Sequence, residues 1–414
     1  MYDKNMEEKS RFAVGLDIGT SYIRAVVGSM DHSGNISVIG YNEAPSSGMR
    51  KGVVVNLTGP ANAIDVCLKP VEDMSAVQVD SATLSVNGSH ILSAKTEGMI
   101  AVGAADHEID EADLDRVDQV AATGKFPPNR EILDLVPYAY SLDGQGGIKD
   151  PLGMTGSRLE IKASIITALL PYCDNLRKAA EMAKVRPERL VPAVVAASRA
   201  VLKEHQMENG VGVIDLGAST TSIAVYDEGD LQFVGVVPIG TNDITKDIAT
   251  VLQTVPEIAE EIKVRFASGR FGETEKDIVI KRGREELTFS RAEVDEVVEA
   301  RLEEIFDGVR KELRRAGYDK RLPEGVVLTG GGANLRDIDI YAKSQIQLAI
   351  RISTPNALGG VSEAVSKPEY ATAVGLMLTG LQFSSSASTK SKKSSVKSSK
   401  SKNGPLSKFF NLFK

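Results

Sequence analysis

The sequence predicts an α/β fold of two related halves carrying an inserted subdomain, and three observations lead there. A strand, Asp, Gly, strand motif occurs twice, as Val14-Gly-Leu-Asp17-Ile-Gly19-Thr-Ser and as Val213-Ile-Asp215-Leu-Gly217-Ala-Ser, with the two aspartates 198 residues apart. Self-similarity of this kind marks a chain built from two related units. From about 166 to 382, short apolar strands alternate with helical patterns. Between the two motifs, residues 84–165 carry strand patterns at both ends around an acidic stretch, Asp106–Gln119, that reads as a helix.

Taken in order, residues 11–83 are strand-rich, with Phe12–Leu16, Ile23–Val27 and Ser37–Tyr41 as short apolar or alternating strands. The clearest helix starts at Ser290, where Ser290 and Glu293 make a capping box. Val294, Val298, Leu302, Ile305 and Val309 then recur on one face, and Gly317 closes the segment. Residues 383–402 are almost entirely Ser, Lys and Thr, which cannot bury a core and predict a disordered linker.

The chain has 414 residues, 42% of them apolar, enough for two or more domains with their own cores. Met1 to Arg11 is polar and charged, without an apolar stretch of signal-peptide length, and no run approaches the ~18 apolar residues of a transmembrane helix. These features predict a cytoplasmic protein. Cys67 and Cys173 lie far apart and read as reduced thiols, and the four histidines form no zinc-binding cluster. The net charge of −7 is uneven. Residues 383–414 hold eight lysines and no acid, which leaves 41 basic against 56 acidic residues in the body. So acidic a body argues against general nucleic-acid binding.

Each repeat reads as a β-hairpin, and a GxxxxGK[ST] phosphate loop is absent. Small residues at Gly19, Thr20 and Ser21, and again at Gly217, Ala218, Ser219 and Thr220, let backbone N–H groups and hydroxyls approach an anion closely. Two such hairpins facing one another would clamp a polyphosphate. Asp17 and Asp215 would then orient waters around Mg²⁺, which keeps several waters and few protein ligands. One Asp-Gly hairpin alone is an ordinary turn. The third element is Val326-Val-Leu-Thr329-Gly330-Gly331-Gly332-Ala-Asn334, a buried strand ending in three glycines before an expected helix. Bare backbone there suits a flat heterocycle, although a flexible loop has the same composition.

Order and spacing of these three elements resemble the phosphate and adenosine motifs of the actin, sugar-kinase and heat-shock-chaperone superfamily. Within it the chain resembles the FtsA family of bacterial division proteins. Gly15–Ser21 is similar to that family's first phosphate loop and Ile239–Ala249 to the stretch after its second. Ala259-Glu260-Glu-Ile-Lys263 resembles the AExxK helix, also found in MreB, whose Glu and Lys reach ribose and adenine. The resemblance implies an actin-like ATPase fold with subdomains IA (11–83 and 166–200), IC (84–165), IIA (201–243 and 323–382) and IIB (244–322). Its implied ligands are ATP and Mg²⁺.

Three departures qualify the match. The family's second loop is usually DIGGGTTD, whereas this chain has Asp215-Leu-Gly-Ala218-Ser219-Thr-Thr-Ser222. Arg24 stands where actins place a phosphate-contacting Lys. Val191, on an expected helix Val191–Ala197, aligns with the position that orients the attacking water in actin and MreB, so hydrolysis is expected to be slow.

The tail follows the linker at 403–414. Pro405 opens a helix on which Leu406, Phe409, Phe410 and Phe413 share one face beside Lys408, a pattern of membrane-surface helices. A helix docked on the body is the alternative, against which the basic spacer argues. The resemblance implies a polymerising adaptor on the inner face of the cell membrane at the division site. Its implied partners are an anionic membrane, other copies of itself, further division proteins through IC, and the C-terminal peptide of FtsZ docking on IIB, with Arg301 as a candidate contact. A PilM-like pilus-assembly adaptor and a sugar or acetate kinase are the competing readings.

Overall fold

The computed structural model describes residues 11–103, 107–123, 126–272, 276–283 and 285–391, with side chains up to 383. Linker residues 392–402 and the tail, with Leu406, Lys408, Phe409, Phe410 and Phe413, lie outside the described residues.

Each half is organised around its Asp-Gly hairpin. In the first, strand Arg11–Ile18 pairs antiparallel with Tyr22–Met30 and parallel with Ser81–Val86, giving the order Arg186–Pro192, Ser81–Val86, Arg11–Ile18, Tyr22–Met30, Ile36–Pro45, Gly359–Gly360. In the second, the order is Ile350–Ile352, Val326–Thr329, Val211–Leu216, Thr221–Asp227, Asp230–Val237. The central strand, its hairpin partner and the flanking parallel strands occupy equivalent places in both sheets. The duplication read from two short motifs is therefore a duplication of topology. Strands Arg11–Ile18 and Val211–Leu216 are almost wholly apolar up to their aspartates because helices cover the sheets.

Between the sheets lies helix Ala193–Val201, buried nearly all round, which packs on strands Val211–Leu216 and Thr221–Asp227 and on the last helix, Ala371–Ser391. Three expectations change here. Val191 and Pro192 close a strand, and the helix starts at Ala193, where a strand partner at Val86 no longer constrains the backbone. Residues 359–382, expected with the second half, return to the first. The last helix lies on strands Arg11–Ile18 and Tyr22–Met30, with Val374, Leu376 and Met377 fully buried. That helix also runs to Ser391, so the segment expected as linker from 383 begins inside it.

The insert is a four-stranded sheet, Leu92–Ala101, Arg158–Leu169, Arg130–Leu142, Gln145–Ile148, with helix Glu111–Ala122 on one face. Asp110 and Asp113 cap that helix reciprocally, which sets its start five residues later than the acidic run alone indicates. Strand Ser81–Val86 stays in the first sheet, so the insert's own sheet begins at Leu92. The insert shields the edge of the second half's sheet, since Ser93 Oγ both donates to Val234 O (2.9 Å) and accepts from Val234 N (3.0 Å). Lys149 Nζ adds an ion pair to Asp230 at 2.6 Å.

Helix Arg291–Ala316 buries Val294, Val298, Leu302, Ile305 and Val309 as its spacing predicts, and Gly317 ends it in the left-handed conformation. Each such side chain contributes about 1.5–3 kcal/mol by leaving water. Its capping is simpler than expected. Ser290 Oγ accepts from Glu293 N at 3.3 Å, and no reciprocal bond is formed.

Candidate functional site

The tips of the two hairpins meet. Thr20 Oγ1 and Ser219 Oγ lie 2.6 Å apart, Asn242 Nδ2 donates to Ser21 Oγ (2.9 Å), and Asn87 Nδ2 donates to Thr220 Oγ1 (3.1 Å) while accepting from Ser222 Oγ (3.0 Å). Around this seam opens a cavity of about 290 Å³. It gathers Asp17, Gly19, Thr20, Ser21 and Arg24 from the first half and Asp215, Gly217, Ala218, Ser219 and Thr220 from the second. Glu260, Lys263, Gly330, Gly331, Gly332 and Asn334 complete the wall. One cleft thus holds every cleft residue that the sequence singled out. Arg301 is elsewhere, on helix Arg291–Ala316, with its guanidinium held by Asp247 (2.7 Å) and Glu304.

The glycines shape the wall in different ways. Gly330 has φ +84°, and a Cβ there would sit 2.2 Å from Asp215 Oδ1. A Cβ on Gly332 would meet Leu216 Cγ at 2.4 Å, whereas one on Gly331 would make only an ordinary van der Waals contact, 3.8 Å from Glu369 Cβ. Gly330 and Gly332 therefore let the backbone turn and pack, and Gly331 alone of the three keeps room free in the cavity.

Two carboxylates sit at the base, Asp215 buried and Asp17 half-buried. Burial raises Asp17 above the usual carboxylate range, and the Ser85 hydroxyl and Arg24 pull it back only in part. Burial, followed by the neighbouring Asp17 charge, pushes Asp215 up to about 7. Thr372 Oγ1 donates to Asp215 Oδ2 at 3.4 Å. A divalent cation nearby would relieve both the burial cost and the mutual repulsion. No cluster of three or more His, Cys, Asp or Glu suited to a metal occurs among the described residues. This donor set fits a hydrated Mg²⁺ held largely through phosphate and water. Arg24 pairs across the hairpin with Asp17, lies between the rings of Tyr22 and Tyr370, and donates to Glu43 at 2.9 Å.

On the opposite wall, helix Pro256–Phe266 presents Glu260 and Lys263 one turn apart, joined at 2.7 Å. Thr245 Oγ1 also donates to Glu260, at 2.5 Å. Burial lowers the Lys263 pKa, and Glu260 offsets part of that shift. The pair is oriented before any ligand arrives.

The expectation for Val191 is corrected. Val191 is a buried strand residue, and Ala193, two positions on, lines the cavity instead. Sequence reasoning also missed Asn87, Thr372 and Glu369, none of which belongs to a motif. Asn87 was signalled only as the first polar residue after strand Ser81–Val86.

Residues 212–375 match the family model described as cell division protein FtsA, and residues 88–167 match the SHS2 domain inserted in FtsA. The cell division protein FtsA of Pseudomonas aeruginosa is 34% identical over 404 residues, covering 96% of each chain. Among solved structures, the PilM–PilN type IV pilus biogenesis complex superposes with a TM-score of 0.66 at 18% identity, covering 89% of this chain and 98% of that one. MreB5 of Spiroplasma citri bound to AMPPNP gives a TM-score of 0.53 at 16% identity, covering 92% and 99%. At such identities the structural neighbours establish the fold alone, which is the actin-like ATPase fold.

Proposed function

The chain belongs to the cell division protein FtsA family, and from that premise we propose that it is a nucleotide-switched, self-assembling adaptor that tethers FtsZ filaments to the inner face of the cell membrane at the division site. The observation that carries the reading is the meeting of two duplicated hairpins, Thr20 against Ser219, at the floor of a cleft with an oriented Glu260–Lys263 pair on its wall.

The proposed ligand is ATP with Mg²⁺. Amides and hydroxyls of Gly19–Ser21 and Gly217–Thr220 bind the phosphates from both sides, and Arg24 supplies positive charge. Glu260 and Lys263 take the ribose, and the Gly330–Gly332 backbone with Asn334 takes the base. Asp17 and Asp215 hold the hydrated cation, whose chemistry is to neutralise phosphate charge. MreB5, of the same fold, was solved with a nucleotide analogue. A ligand bridging both halves stabilises the closed arrangement, and differential affinity for that arrangement is what makes it a switch.

Anchoring is assigned to the tail, where Leu406, Phe409, Phe410 and Phe413 enter the interface and Lys408 meets anionic headgroups. One such helix binds marginally, and assembly into filaments multiplies it. The FtsZ C-terminal peptide is proposed to dock on the subdomain carrying helix Arg291–Ala316, with Arg301 exchanging Asp247 or Glu304 for a peptide carboxylate. The insert is left free to recruit further division proteins. A pull-down with an FtsZ C-terminal peptide, with and without Mg²⁺-ATP, tests the reading. Capture supports the adaptor, and failure under both conditions removes FtsZ as the partner.

A further inference from the structure

The insert joins the first half through two chain crossings, residues 87–92 on entry and 167–170 on exit. His90 is buried between them, and its ring bonds to both. Leu169 N donates to Nδ1 at 3.3 Å. A backbone amide only donates, so the ring proton sits on Nε2, which donates to Asn87 O at 3.0 Å. Burial pushes the His90 pKa down to about 4, so the ring is neutral and the two roles stay fixed. Arg130 closes the joint. Its Nη2 donates to His90 O (2.5 Å) and Thr167 O (3.1 Å), and its Nε to Thr167 Oγ1 (2.9 Å).

The other end of the joint is in the cleft. Asn87 lines the cavity, and its side chain holds Thr220 and Ser222 of the second hairpin, while its carbonyl is the one that His90 grips. Gly88 N donates to Asn87 Oδ1 at 2.8 Å, which ties the side chain to the turn behind it. A shift of the second hairpin away from the first therefore breaks both bonds to Asn87 and loosens the turn that His90 holds.

We propose that the turn from Asn87 to His90 couples the cleft to the insert: the arrangement of the two hairpins around a nucleotide sets, through Asn87 and then His90, how firmly the insert is held on the first half. The inference rests on the nucleotide reading above. His90 lies outside the cavity wall and acts through Asn87, so it is a positioning residue. Coupling of this kind is reciprocal. A protein that binds the insert and favours one of its settings changes nucleotide affinity by the same factor as nucleotide changes its own.

The test is hydrogen exchange of the full chain, read by mass spectrometry without nucleotide and at saturating Mg²⁺-ATP, with binding checked by calorimetry. Amides of the two crossings, Ile91 N on Gly88 O and Leu169 N on His90 among them, report the joint. With nucleotide they should exchange more slowly by about fivefold or more, the lower end of coupling between sites. Two variants remove the ring's bonds separately, because a glutamine nitrogen stands in for Nε2 and an asparagine oxygen for Nδ1. His90→Gln keeps the bond to Asn87 and should lose the response at 167–170 alone. His90→Asn keeps the bond to Leu169 and should lose the response at both crossings. A merely structural role would speed exchange with and without nucleotide alike and would not divide the response in this way. Nucleotide binding with no change at the parent's crossings overturns the coupling and leaves the nucleotide reading standing. A parent-like response in both variants, or a folded variant that no longer binds nucleotide, overturns the assignment of His90. If neither variant folds, the parent's response decides. Failure of the parent to bind Mg²⁺-ATP overturns both readings.

Discussion

Thr20 Oγ1 and Ser219 Oγ are 2.6 Å apart although 199 residues separate them in the chain. Each is the hydroxyl at the tip of a hairpin that carries an aspartate, Asp17 in one half and Asp215 in the other. The contact joins the halves where the cavity is deepest in polar groups. A phosphate entering between the tips would replace one hydroxyl–hydroxyl bond by charge-assisted bonds to both loops, which are roughly twice as strong as neutral ones. Nucleotide binding at this seam would therefore be linked to the relation of the halves through the same atoms.

Gly331→Val separates cavity volume from folding. A Cβ at Gly331 meets only an ordinary van der Waals contact at 3.8 Å, whereas Gly330 and Gly332 have neighbours at 2.2 and 2.4 Å from that position. The variant should fold with a ligand-free melting temperature within a few degrees of the parent. It should lose the stabilisation by millimolar Mg²⁺-ATP that the parent shows, because a ligand selective for the native state raises its stability. Differential scanning calorimetry with and without nucleotide reads both quantities. An unchanged parent melting curve with nucleotide would sink the nucleotide assignment.

Turnover should be slow. Ala193 lines the cavity in place of Val191, and it has no polar atom with which to orient a water. Phosphoryl transfer depends on positioning and charge stabilisation, so the rate should lie far below the ~1–100 s⁻¹ of kinases, with or without sugars. A phosphate-release assay at saturating Mg²⁺-ATP measures it. Steady consumption at kinase-like rates would favour the enzyme reading.

Much of this site was legible in the sequence because its residues cluster in four short motifs with fixed local geometry. Asp17 to Ser21 and Asp215 to Thr220 lie on hairpins, whose register is set by neighbours a few positions away. Glu260 and Lys263 are brought together by helical spacing alone. What was not legible depends on long-range packing. Asn87 bonds to Thr220 across 133 residues, and Glu369 reaches Asn334 across 35. Val191 was misplaced because apolar runs do not separate strand from helix. The last helix, which the resemblance places with the second half, packs on strands of the first, a long-range contact that no local pattern encodes.

Stability should carry a pH signature from the insert. Asp118 lies on the buried face of helix Glu111–Ala122 with neither carboxylate oxygen hydrogen-bonded, and burial, then Asp115, pushes it up to about 7 from 3.8. The folded state thus holds a proton that the unfolded state releases. Stability falls as pH climbs through that window, and the penalty is complete above about 7. Asp118→Asn keeps the shape without the charge. Its gain should be largest at pH 8, about 1–3 kcal/mol by the usual cost of an unpaired buried polar group, and should shrink towards pH 4.5. Urea midpoints at the two pH values test this. A variant less stable than the parent at pH 8 would show that the carboxylate has a partner in solution.

Membrane attachment should reside in residues 403–414 alone. Were 403–414 helical, as the sequence pattern predicts, Phe409, Phe410 and Phe413 would share a face with Leu406, and Lys408 with the lysines of the preceding segment would supply the attraction to anionic lipid. Each lysine near an anionic leaflet adds up to about 1 kcal/mol, and salt screens it over a Debye length. The full chain should therefore sediment with liposomes in proportion to anionic lipid content, and less at high salt. Removing 403–414 should leave the protein in the supernatant with its nucleotide response intact, since every cleft residue lies far from the tail in sequence. Phe410→Glu should cost more than the lost apolar contact, because it also carries a charge to the acyl boundary. If the truncated chain pellets equally well, the anchor lies on the body, and the exposed apolar side chains there, such as Val66, Met74 and Met182, become the surface to examine.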